Sequence, residues 1–422
     1  MNKEIRLRIL RYTLLSLFCI CLLACGGVTS VPEHGLPTAV PADVGFSAEK
    51  LDEIAPALQG YVDKGQTPGF LTAVARKGKI VHFETVGMRD VENEKPVEAD
   101  TIFRIYSMSK PITSVAVMIL YQDGHFQLDD PVEKYIPEFK DMKVFNEEQT
   151  ETHDAKTKMT IKHLLTHTSG LVYGWGDKPI DKLYSELRIF RRGSTLEEMV
   201  QKLAKIPLLH EPGQRWTYGV STDVLGYLVE VVSGMPFEDF LQNRLFLPLG
   251  MVDTAFSVPK EKVEKFAALY RPTEEGGLRL ARNAPLANDD VSFFPSGGGG
   301  LVSTTADYLR FCQMLLNGGE LDGIRILSEE NVKLMRYPHF QRRRGAFGLG
   351  FGIARGENND EARRSKGSFS WGGAAATIFW IDPENELVAV LMTQLMNNRY
   401  GFGGDFERLT YQALTNAEQA EN

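Results

Sequence analysis

Residues 101–120 read TIFRIYSMSKPITSVAVMIL, and the remainder of the chain is best understood from this stretch. The apolar run VAVMIL is too hydrophobic for a surface helix, so it predicts a helix buried on most sides that ends at the following QDG turn. Pro111 fits the first turn of that helix, because its missing N–H removes no helical hydrogen bond there. The helix is therefore predicted to begin near Ser107.

Ser107 and Lys110 lie three residues apart at the start of this helix, so their side chains share one face. Burial and the positive end of the helix dipole disfavour a charged ammonium at Lys110. A neutral amine in this position can accept the proton of the serine hydroxyl. The pair therefore indicates a serine nucleophile with its own base.

The spacing alone is weak evidence, because Ser-x-x-Lys occurs three times, at Ser47, Ser107 and Ser257. Ser47 precedes an amphipathic segment and is interpreted as an ordinary helix N-cap. Ser257 lies in a loop interrupted by Pro259. The choice of Ser107 depends on motifs elsewhere in the chain.

Residues 1–24 are predicted to be an export signal, because basic residues precede a short apolar core. The core ends in LLAC at Cys25, which resembles the bacterial lipobox, in which the cysteine is lipidated and becomes the first residue. Gly26 follows, so the resemblance implies an exported bacterial lipoprotein in the outer membrane, facing the periplasm. The alternative is an ordinary cleaved signal followed by a stray cysteine.

Residues 25–45 are rich in Pro and Gly and are predicted to form a lipidated, flexible tether. Alternating segments flank Lys77-Gly78 near one end of the chain and residues 383–385 near the other, which predicts two hairpins. The predicted fold class is α+β. A mixed α/β domain would comprise residues 46–130 and 276–422, with a central antiparallel sheet built from both chain ends, and an all-helical domain, residues 131–275, would be inserted.

Composition and spacing argue against several other classes of protein. The formal charge is −8 and no basic tract follows the signal, so nucleic acid is not an expected partner. Membrane contact is expected through the lipid anchor only. Once the signal is removed and Cys25 is lipidated, Cys312 is the remaining thiol, so no internal disulfide is expected. His163 and His167 are four apart, but Leu164 stands where a zinc protease has Glu, so neither metal nor cofactor is expected.

Three further segments contain candidate site residues whose roles the local sequence leaves open. Tyr173 and Trp175 follow the segment LLTHTSGL and are either pocket walls or core residues. Tyr218 precedes a predicted helix, where its hydroxyl reaches a cleft or its ring packs between lobes. The glycines of WGG at 371–373 allow another backbone or a substrate to come close to a strand edge.

Five separated motifs occur in one order: SMSK at 107–110, LLTHTSGL at 164–171, PGQRWTYGVSTDVLG at 212–226, PSGGGGLVSTTADYLRF at 295–311 and WGGAAATIFWIDP at 371–383. Together they resemble the serine β-lactamase and penicillin-binding superfamily, and in particular the class C β-lactamase-like esterases, often called family VIII carboxylesterases. The likeness covers residues 45–415. It implies a mixed α/β domain with an antiparallel sheet, an all-helical domain, and an active site between them.

The resemblance also implies a role for each matching position. Ser107 would be the acylated serine, Lys110 the motif lysine, and Tyr218 the tyrosine that shares the acid and base work. The backbone N–H groups of Ser107 and Ala374 would form the oxyanion hole. Predicted substrate contacts are Trp371, Gly372, Gly373, Val220, Tyr173 and Trp175.

Two positions depart from the β-lactamase and carboxypeptidase pattern, which has Asn at Val220 and Lys at Trp371. A neutral indole does not replace the lysine that helps bind a substrate carboxylate. Both changes favour a neutral, partly apolar acyl or alcohol group. Arg363, Arg364 or Lys366 could restore a positive charge, but nothing in the sequence places them in the cleft.

The sequence thus predicts a serine hydrolase that cleaves carboxylic esters through an acyl-enzyme on Ser107, without metal or cofactor. A small-molecule ester or β-lactam-like compound is the expected substrate. The alternatives with the same nucleophile are a β-lactamase, a D-amino-acid peptidase or a transesterase. An alternative of another class is a penicillin-sensor-like binding protein that is acylated once without turnover.

Overall fold

Strands from both ends of the chain form the main sheet of this computed structural model, which describes residues 32–191, 193–281, 294–343, 345–356 and 364–415. The strands are β1 (Gly69–Arg76), β2 (Lys79–Asp90), β3 (Lys95–Pro96), β4 (Phe103–Arg104), β5 (Lys143–Phe145), β6 (Thr152–Asp154), β7 (Tyr270–Pro272), β8 (Leu278–Leu280), β9 (Val302–Ser303), β10 (Glu320–Leu321), β11 (Ile324–Arg325), β12 (Phe340–Gln341), β13 (Ala346–Phe347), β14 (Gly352–Ile353), β15 (Phe369–Gly372), β16 (Ile378–Asp382) and β17 (Leu387–Met392).

The helices lie mostly between the two groups of long strands. They are α1 (Ala48–Leu51), α2 (Ile54–Asp63), α3 (Ser109–Gln122), α4 (Ile161–Leu165), α5 (Pro179–Leu187), α6 (Leu196–Leu203), α7 (Ser221–Ser233), α8 (Phe237–Leu241), α9 (Leu247–Leu249), α10 (Thr305–Leu316), α11 (Glu329–Arg336) and α12 (Phe402–Gln412). A π-helical segment, Gln242–Phe246, joins α8 to α9, and short 3-10 turns occur at Pro41–Val44, Tyr106–Met108, Val132–Lys134, Pro137–Phe139 and Lys260–Lys265.

The main sheet has nine antiparallel strands in the order β12-β13-β14-β15-β16-β17-β1-β2-β3. Lys77 and Gly78 join β1 to β2 and both have positive φ, 52° and 74°, which suits the two-residue turn of a twisted hairpin. The pairing of β1 with β17 brings the two chain ends together. The predicted α+β class, with a sheet built from both chain ends, is confirmed.

Both faces of this sheet are covered, because every residue of β1 from Gly69 to Ala75 is buried. Leu71 and Ala73 belong to one apolar cluster, whose side of the sheet is packed by α10. Phe70 and Val74 belong to a second cluster together with Phe406 of α12. The central strands β1 and β17 are therefore buried from both sides.

The helix α3 occupies the centre of the fold. Every residue of it from Ser109 to Leu120 is buried, and it packs against α7. The prediction of a helix buried on most sides is confirmed. Ser107 lies one turn earlier than the α-helix proper, in the 3-10 turn Tyr106–Met108.

The inserted segment is less purely helical than predicted. It contains the hairpin of β5 and β6, and Val144 of β5 also bridges to Leu208. It also contains β7, whose Tyr270 bridges to Leu395 next to the main sheet. The boundaries proposed for the helical domain stay a prediction.

Part of the predicted tether is packed against the fold. Residues from His34 onward belong to one compact unit, and Leu36 is only 3% exposed. Ile80 donates a backbone hydrogen bond to the Pro37 carbonyl, and Ala39 donates one to the Ile80 carbonyl. The segment from His34 to residue 45 is therefore no free linker, because its apolar side chains and carbonyl groups find partners on β2. The predicted signal and Cys25 lie outside the described residues.

Within the described ranges, no helix is both long enough and apolar enough to cross a membrane.

Candidate active site

Ser107 lies at a strained turn between β4 and α3. Tyr106, directly before it, has a φ of 43°, a left-handed conformation that costs a non-glycine residue about 1 kcal/mol or more. The turn is held from below, because the Tyr308 hydroxyl donates a hydrogen bond of 2.8 Å to the Met108 carbonyl. This conformation places the Ser107 side chain at the wall of a cavity.

Lys110 is fixed beneath Ser107. Its side chain is 1% exposed, and Nζ donates to Ser107 Oγ at 3.2 Å, to the Tyr173 hydroxyl at 2.8 Å and to the Gly298 carbonyl at 2.5 Å. Three oxygen atoms thus surround the amino group. The structure thus brings together the serine and lysine that the sequence predicted.

Tyr218 reaches the nucleophile from the other side. Its hydroxyl donates a hydrogen bond of 2.6 Å to Ser107 Oγ, and its ring centroid lies 4.7 Å from Lys110 Nζ. Gly219 permits this approach, because a Cβ there would lie 2.3 Å from the Leu171 carbonyl oxygen. Of the two possibilities that the sequence left open, the structure shows the hydroxyl in the cleft.

A buried imidazole lies beside Tyr218. The His167 ring is 5.1 Å from the Tyr218 ring, centroid to centroid, and 5.9 Å from that of Trp216. Burial, followed by the charge of Lys110, holds the pKa of His167 well below 6.5, so the ring is neutral at physiological pH. Its Nδ1 has no hydrogen-bond partner in the described part of the chain, so His167 supports Tyr218 by packing.

Tyr173 joins the lysine to an exposed aromatic side chain. Burial and the neighbouring Asp223 and Tyr218 raise the pKa of Tyr173 well above 10, so its hydroxyl stays protonated at neutral pH. The ring stacks on Trp175 with centroids 4.1 Å apart and planes 4° from parallel. Both side chains line the cavity, which decides between the pocket and core alternatives for them.

A buried carboxylate supports the lysine from behind, and sequence reasoning missed it. Asp223 Oδ1 accepts hydrogen bonds from Ser296 Oγ at 2.5 Å and from Gly298 N at 3.1 Å, and the carbonyl of Gly298 is an acceptor for Lys110. Asp223 is 0% exposed, and its Oδ2 has no partner among the described residues. A Cβ on Gly298 would lie 2.5 Å from this Oδ2. The glycine run at 297–300 was the available signal, since glycine is required where a backbone approaches a buried side chain this closely.

The two predicted oxyanion donors lie on the same cavity. Ser107 and Ala374 both line it. Gly373 makes this arrangement possible, because a Cβ there would lie 2.4 Å from the Ile105 carbonyl oxygen. Backbone N–H groups at these two positions, beside a serine hydroxyl, are of the kind that stabilises an oxyanion.

The cavity beside Ser107 has a volume of about 820 Å³. No charged side chain of the described residues lines it. Four of the lining residues were not predicted from the sequence and come from loops of the inserted segment and of the C-terminal part: Phe190, Met396, Asn397 and Asn398. The lining residues are Tyr106, Ser107, Tyr173, Trp175, Phe190, Ser296, Gly298, Gly299, Gly373, Ala374, Ala376, Met396, Asn397 and Asn398.

Some of the predicted substrate contacts lie elsewhere. Val220 is 0% exposed and packs in the main core, so its side chain is not available to a substrate. The physical reason is its place directly before α7, where the valine turns inward. Trp371 and Gly372 do not line the cavity; Trp371 packs behind Tyr218 with ring centroids 5.7 Å apart. The indole therefore acts on the site through Tyr218.

The described basic residues near the third motif lie away from the cavity. Arg364 pairs with Glu407 at 2.5 Å and stacks over Trp380, and neither it nor Lys366 lines the cavity. Arg363 lies outside the described residues. No described residue of this group therefore brings a positive charge to the cavity.

The other two Ser-x-x-Lys segments have no place in the site. Ser47 Oγ accepts a hydrogen bond from Lys50 N at 3.3 Å, so the predicted helix N-cap is confirmed. Ser257 is exposed in a loop and does not line the cavity.

Comparison with known proteins agrees with this geometry. The family model Beta-lactamase matches residues 54–412. Protein Rv1367c of Mycobacterium tuberculosis is 35% identical over 364 residues, which cover 82% of this chain and 90% of that protein. Esterase EstB of Burkholderia gladioli is 30% identical over 384 residues, which cover 85% of this chain and 93% of that protein. Among solved structures, EstCE1, a hydrolase with promiscuous acyltransferase activity, superposes with a TM-score of 0.76 at 26% identity, covering 87% of this chain and 99% of that one. The resemblance inferred from the five motifs is confirmed, and the chain belongs to the Beta-lactamase family.

Proposed function

We propose that this chain is a serine hydrolase that cleaves carboxylic esters of small molecules through an acyl-enzyme on Ser107. The observation that supports this most directly is the pair of hydrogen bonds on Ser107 Oγ, from Lys110 Nζ at 3.2 Å and from the Tyr218 hydroxyl at 2.6 Å. A hydroxyl between two groups able to exchange protons is arranged to be deprotonated as it attacks.

The reaction follows from these contacts. Lys110 and Tyr218 together take the proton of Ser107 while Oγ attacks the ester carbonyl. The N–H groups of Ser107 and Ala374 hold the charge that develops on the carbonyl oxygen. The same proton returns to the oxygen of the leaving alcohol, and the acyl-enzyme remains. Water then takes the place of the alcohol. It loses a proton to Lys110 and Tyr218, attacks the acyl carbonyl and releases the acid, and the proton returns to Ser107 Oγ.

The walls of the cavity support a neutral substrate. None of its described lining side chains carries a charge, and most of them are apolar or aromatic. The third motif has Trp371, packed behind Tyr218, where the β-lactamase pattern has a lysine for a substrate carboxylate. The names of two similar proteins, an esterase and a hydrolase with acyltransferase activity, point to the same chemistry.

Transfer of the acyl group to an alcohol is the second candidate activity. A cavity of about 820 Å³ has room for an acceptor beside an acyl-enzyme, and EstCE1 is described as having promiscuous acyltransferase activity. The transesterase, β-lactamase and D-amino-acid peptidase alternatives share the same nucleophile, so rates on different substrates distinguish them.

Steady-state kinetics test the proposal. A short-chain p-nitrophenyl ester and a chromogenic cephalosporin are compared with wild-type protein, Ser107→Ala and Ser257→Ala, the last being a matched control because Ser257 is exposed in the same kind of motif. We expect much faster ester hydrolysis, which only Ser107→Ala abolishes. Preference for the cephalosporin would support the β-lactamase alternative. A burst of one equivalent without turnover would support the penicillin-sensor-like alternative.

We further propose that the chain is exported and lipidated at Cys25, as the LLAC segment suggests. Metabolic labelling with a fatty acid in a bacterial host tests this, with Cys25→Ser as the variant and Cys21→Ser, four residues earlier, as the control. We expect Cys25→Ser alone to lose the label and its membrane association. Retention of the label in Cys25→Ser would contradict the proposal.

A further inference from the structure

Trp175 presents an uncovered aromatic face to the active-site cavity. The indole lines the cavity and is 76% exposed, although one of its faces is covered by the Tyr173 ring at 4.1 Å. Because the two planes are nearly parallel, such an exposed fraction requires that the opposite face of the indole be open. This face is available for a planar group.

Phe190 extends the same surface. Its ring lies 6.2 Å from the Tyr173 ring, it lines the cavity, and it is 42% exposed although Phe294 packs against it at 5.9 Å. We call Tyr173, Trp175 and Phe190 the aromatic shelf. Single exposed aromatic residues are ordinary, but several that share one cavity wall mark a binding surface.

The contacts of Tyr173 relate the shelf to the chemistry. The Tyr173 hydroxyl lies 2.8 Å from Lys110 Nζ, and its ring lies 5.3 Å from that of Tyr218. Lys110 and Tyr218 return the proton to the leaving alcohol, so the alcohol oxygen must lie beside them. The carbonyl oxygen instead points to the N–H groups of Ser107 and Ala374. The shelf therefore adjoins the alcohol side of the reacting ester.

We propose that the aromatic shelf is the subsite for the alcohol portion of the substrate and that it selects alcohols carrying a planar aromatic ring. Such an alcohol serves both as a leaving group and as an acyl acceptor, because an acceptor enters along the path by which a leaving group departs. The proposal rests on the proposed acyl-enzyme chemistry at Ser107, but it concerns a different set of residues.

The transfer step is balanced without any further reactant. The acceptor hydroxyl loses its proton to Lys110 and Tyr218 and attacks the acyl carbonyl on Ser107. The bond between the acyl carbon and Ser107 Oγ breaks, the proton passes to Oγ, and the new ester leaves. No oxidation or reduction occurs.

An internal competition tests the selectivity. Methyl butyrate, whose leaving group is small, is supplied as acyl donor with equal concentrations of benzyl alcohol and cyclohexylmethanol, which differ mainly in planarity. Initial rates of the two product esters are measured by gas chromatography. Because both acceptors react with the same acyl-enzyme, the ratio of the two product esters does not depend on the donor. We expect about three- to tenfold more benzyl ester from wild-type protein, the range that aromatic stacking provides.

Variants assign the effect to the shelf. Trp175→Leu keeps apolar bulk without a plane and is expected to reduce the product ratio to about one, whereas Trp175→Phe restores most of it. Tyr337→Ala removes an exposed aromatic side chain that does not line the cavity and should keep the wild-type ratio. Hydrolysis of methyl butyrate should be unchanged in Tyr337→Ala. A wild-type ratio near one, or a ratio that Trp175→Leu leaves unchanged, would overturn the assignment.

A binding measurement separates this inference from the proposed function. Saturation-transfer NMR with benzyl alcohol is recorded on Ser107→Ala and on the double variant with Trp175→Leu. We expect a signal that the second substitution removes, and a weaker signal from cyclohexylmethanol. Should methyl butyrate not be hydrolysed at all, the ester hydrolase proposal fails, and this measurement still decides on the shelf. Equal signals from both proteins would refute the subsite.

Discussion

The hydroxyl of Tyr218 donates a 2.6 Å hydrogen bond to Oγ of Ser107, although 111 residues of sequence separate the two. Lys110 Nζ donates to the same oxygen from the first turn of α3, which directly follows the 3-10 turn that carries Ser107. The nucleophile thus has one partner from the adjoining helix and one from the inserted segment. Catalysis by this site depends on how accurately the two are held together.

Removal of the Tyr218 hydroxyl should lower turnover and spare binding. We expect Tyr218→Phe to reduce kcat on a p-nitrophenyl ester by about a hundred- to a thousandfold, the usual contribution of a positioned acid–base group, with KM nearly unchanged. The ring contacts with Trp216 and Trp371 remain in this variant. Tyr227→Phe, on α7, serves as the control with wild-type kinetics. A rise in KM with kcat intact would show that Tyr218 only binds substrate.

Tyr173 should affect the height of the pH–rate profile and not its shape. Burial raises the pKa of its hydroxyl well above 10, so Tyr173 is protonated throughout the working range and ionises only at higher pH. Tyr173→Phe removes one hydrogen-bond partner of Lys110, and we expect kcat/KM to fall about tenfold, in line with the loss of one hydrogen bond. If the basic limb of the profile disappeared in this variant, Tyr173 would be a titrating base.

Asp223→Asn should lower the activity of the protein and raise its stability. Burial raises the pKa of Asp223 above 3.8, despite the opposing attraction of Lys110, so the folded chain binds this proton more tightly than the unfolded chain. Ionisation therefore destabilises the fold above the folded-state pKa and has no effect below about 3.8, where both states are protonated. At pH 8 we therefore expect Asp223→Asn to have a higher Tm than wild-type protein. We also expect kcat to fall by about ten- to a hundredfold, because a negative charge no longer favours proton transfer to Lys110.

Asp307 provides the matched control for Asp223. It is also buried at the start of a helix, where desolvation raises its pKa to about 6, but it contacts Thr254 and lies outside the cavity lining. Asp307→Asn should stabilise the fold at pH 8 by about 3 kcal/mol, with the gain lost as the pH falls from about 6 to 4. Its kinetics should be those of wild type. An equal loss of activity in both variants would remove any special role of Asp223.

Gly373 should be required for the oxyanion hole. A Cβ there would lie 2.2 Å from Thr377 Oγ1 and 2.4 Å from the Ile105 carbonyl oxygen, so Gly373→Ala must displace the N–H of Ala374. We expect kcat to fall about a hundred- to a thousandfold, as for the loss of one oxyanion donor. Gly403→Ala, in α12 with open space around its Cβ, is the control and should be active. Full activity of Gly373→Ala would place the second donor elsewhere.

The central sheet and the nucleophile were predictable because local patterns determine them. The nearly continuous apolar runs of β1, β16 and β17 indicate strands buried on both faces, and Lys77-Gly78 indicates a tight turn. Ser107 and Lys110 are neighbours on one turn, so their contact needs no knowledge of the remaining fold. Tyr218 and Ala374 could be placed only through the family resemblance, because long-range packing brings them to Ser107.

Contacts between distant segments account for the features that could not be predicted from the sequence. Asp223 meets Gly298 across the core, which no local spacing indicates. Val220 was expected at the substrate but turns inward before α7. The Pro- and Gly-rich composition of residues 34–45 suggested a linker, whereas Leu36 is buried there. In each case burial of the side chain, and not local propensity, determines the outcome.

Identification of the acylated residue tests the central claim most directly. Wild-type protein is mixed with p-nitrophenyl butyrate, quenched in acid during turnover, digested and mapped by mass spectrometry. We predict a butyryl group on Ser107, which accumulates when deacylation is slow and is absent from Ser107→Ala. Release of p-nitrophenol from wild-type protein with the acyl group on Ser257 or on another side chain, and none on Ser107, would contradict the account.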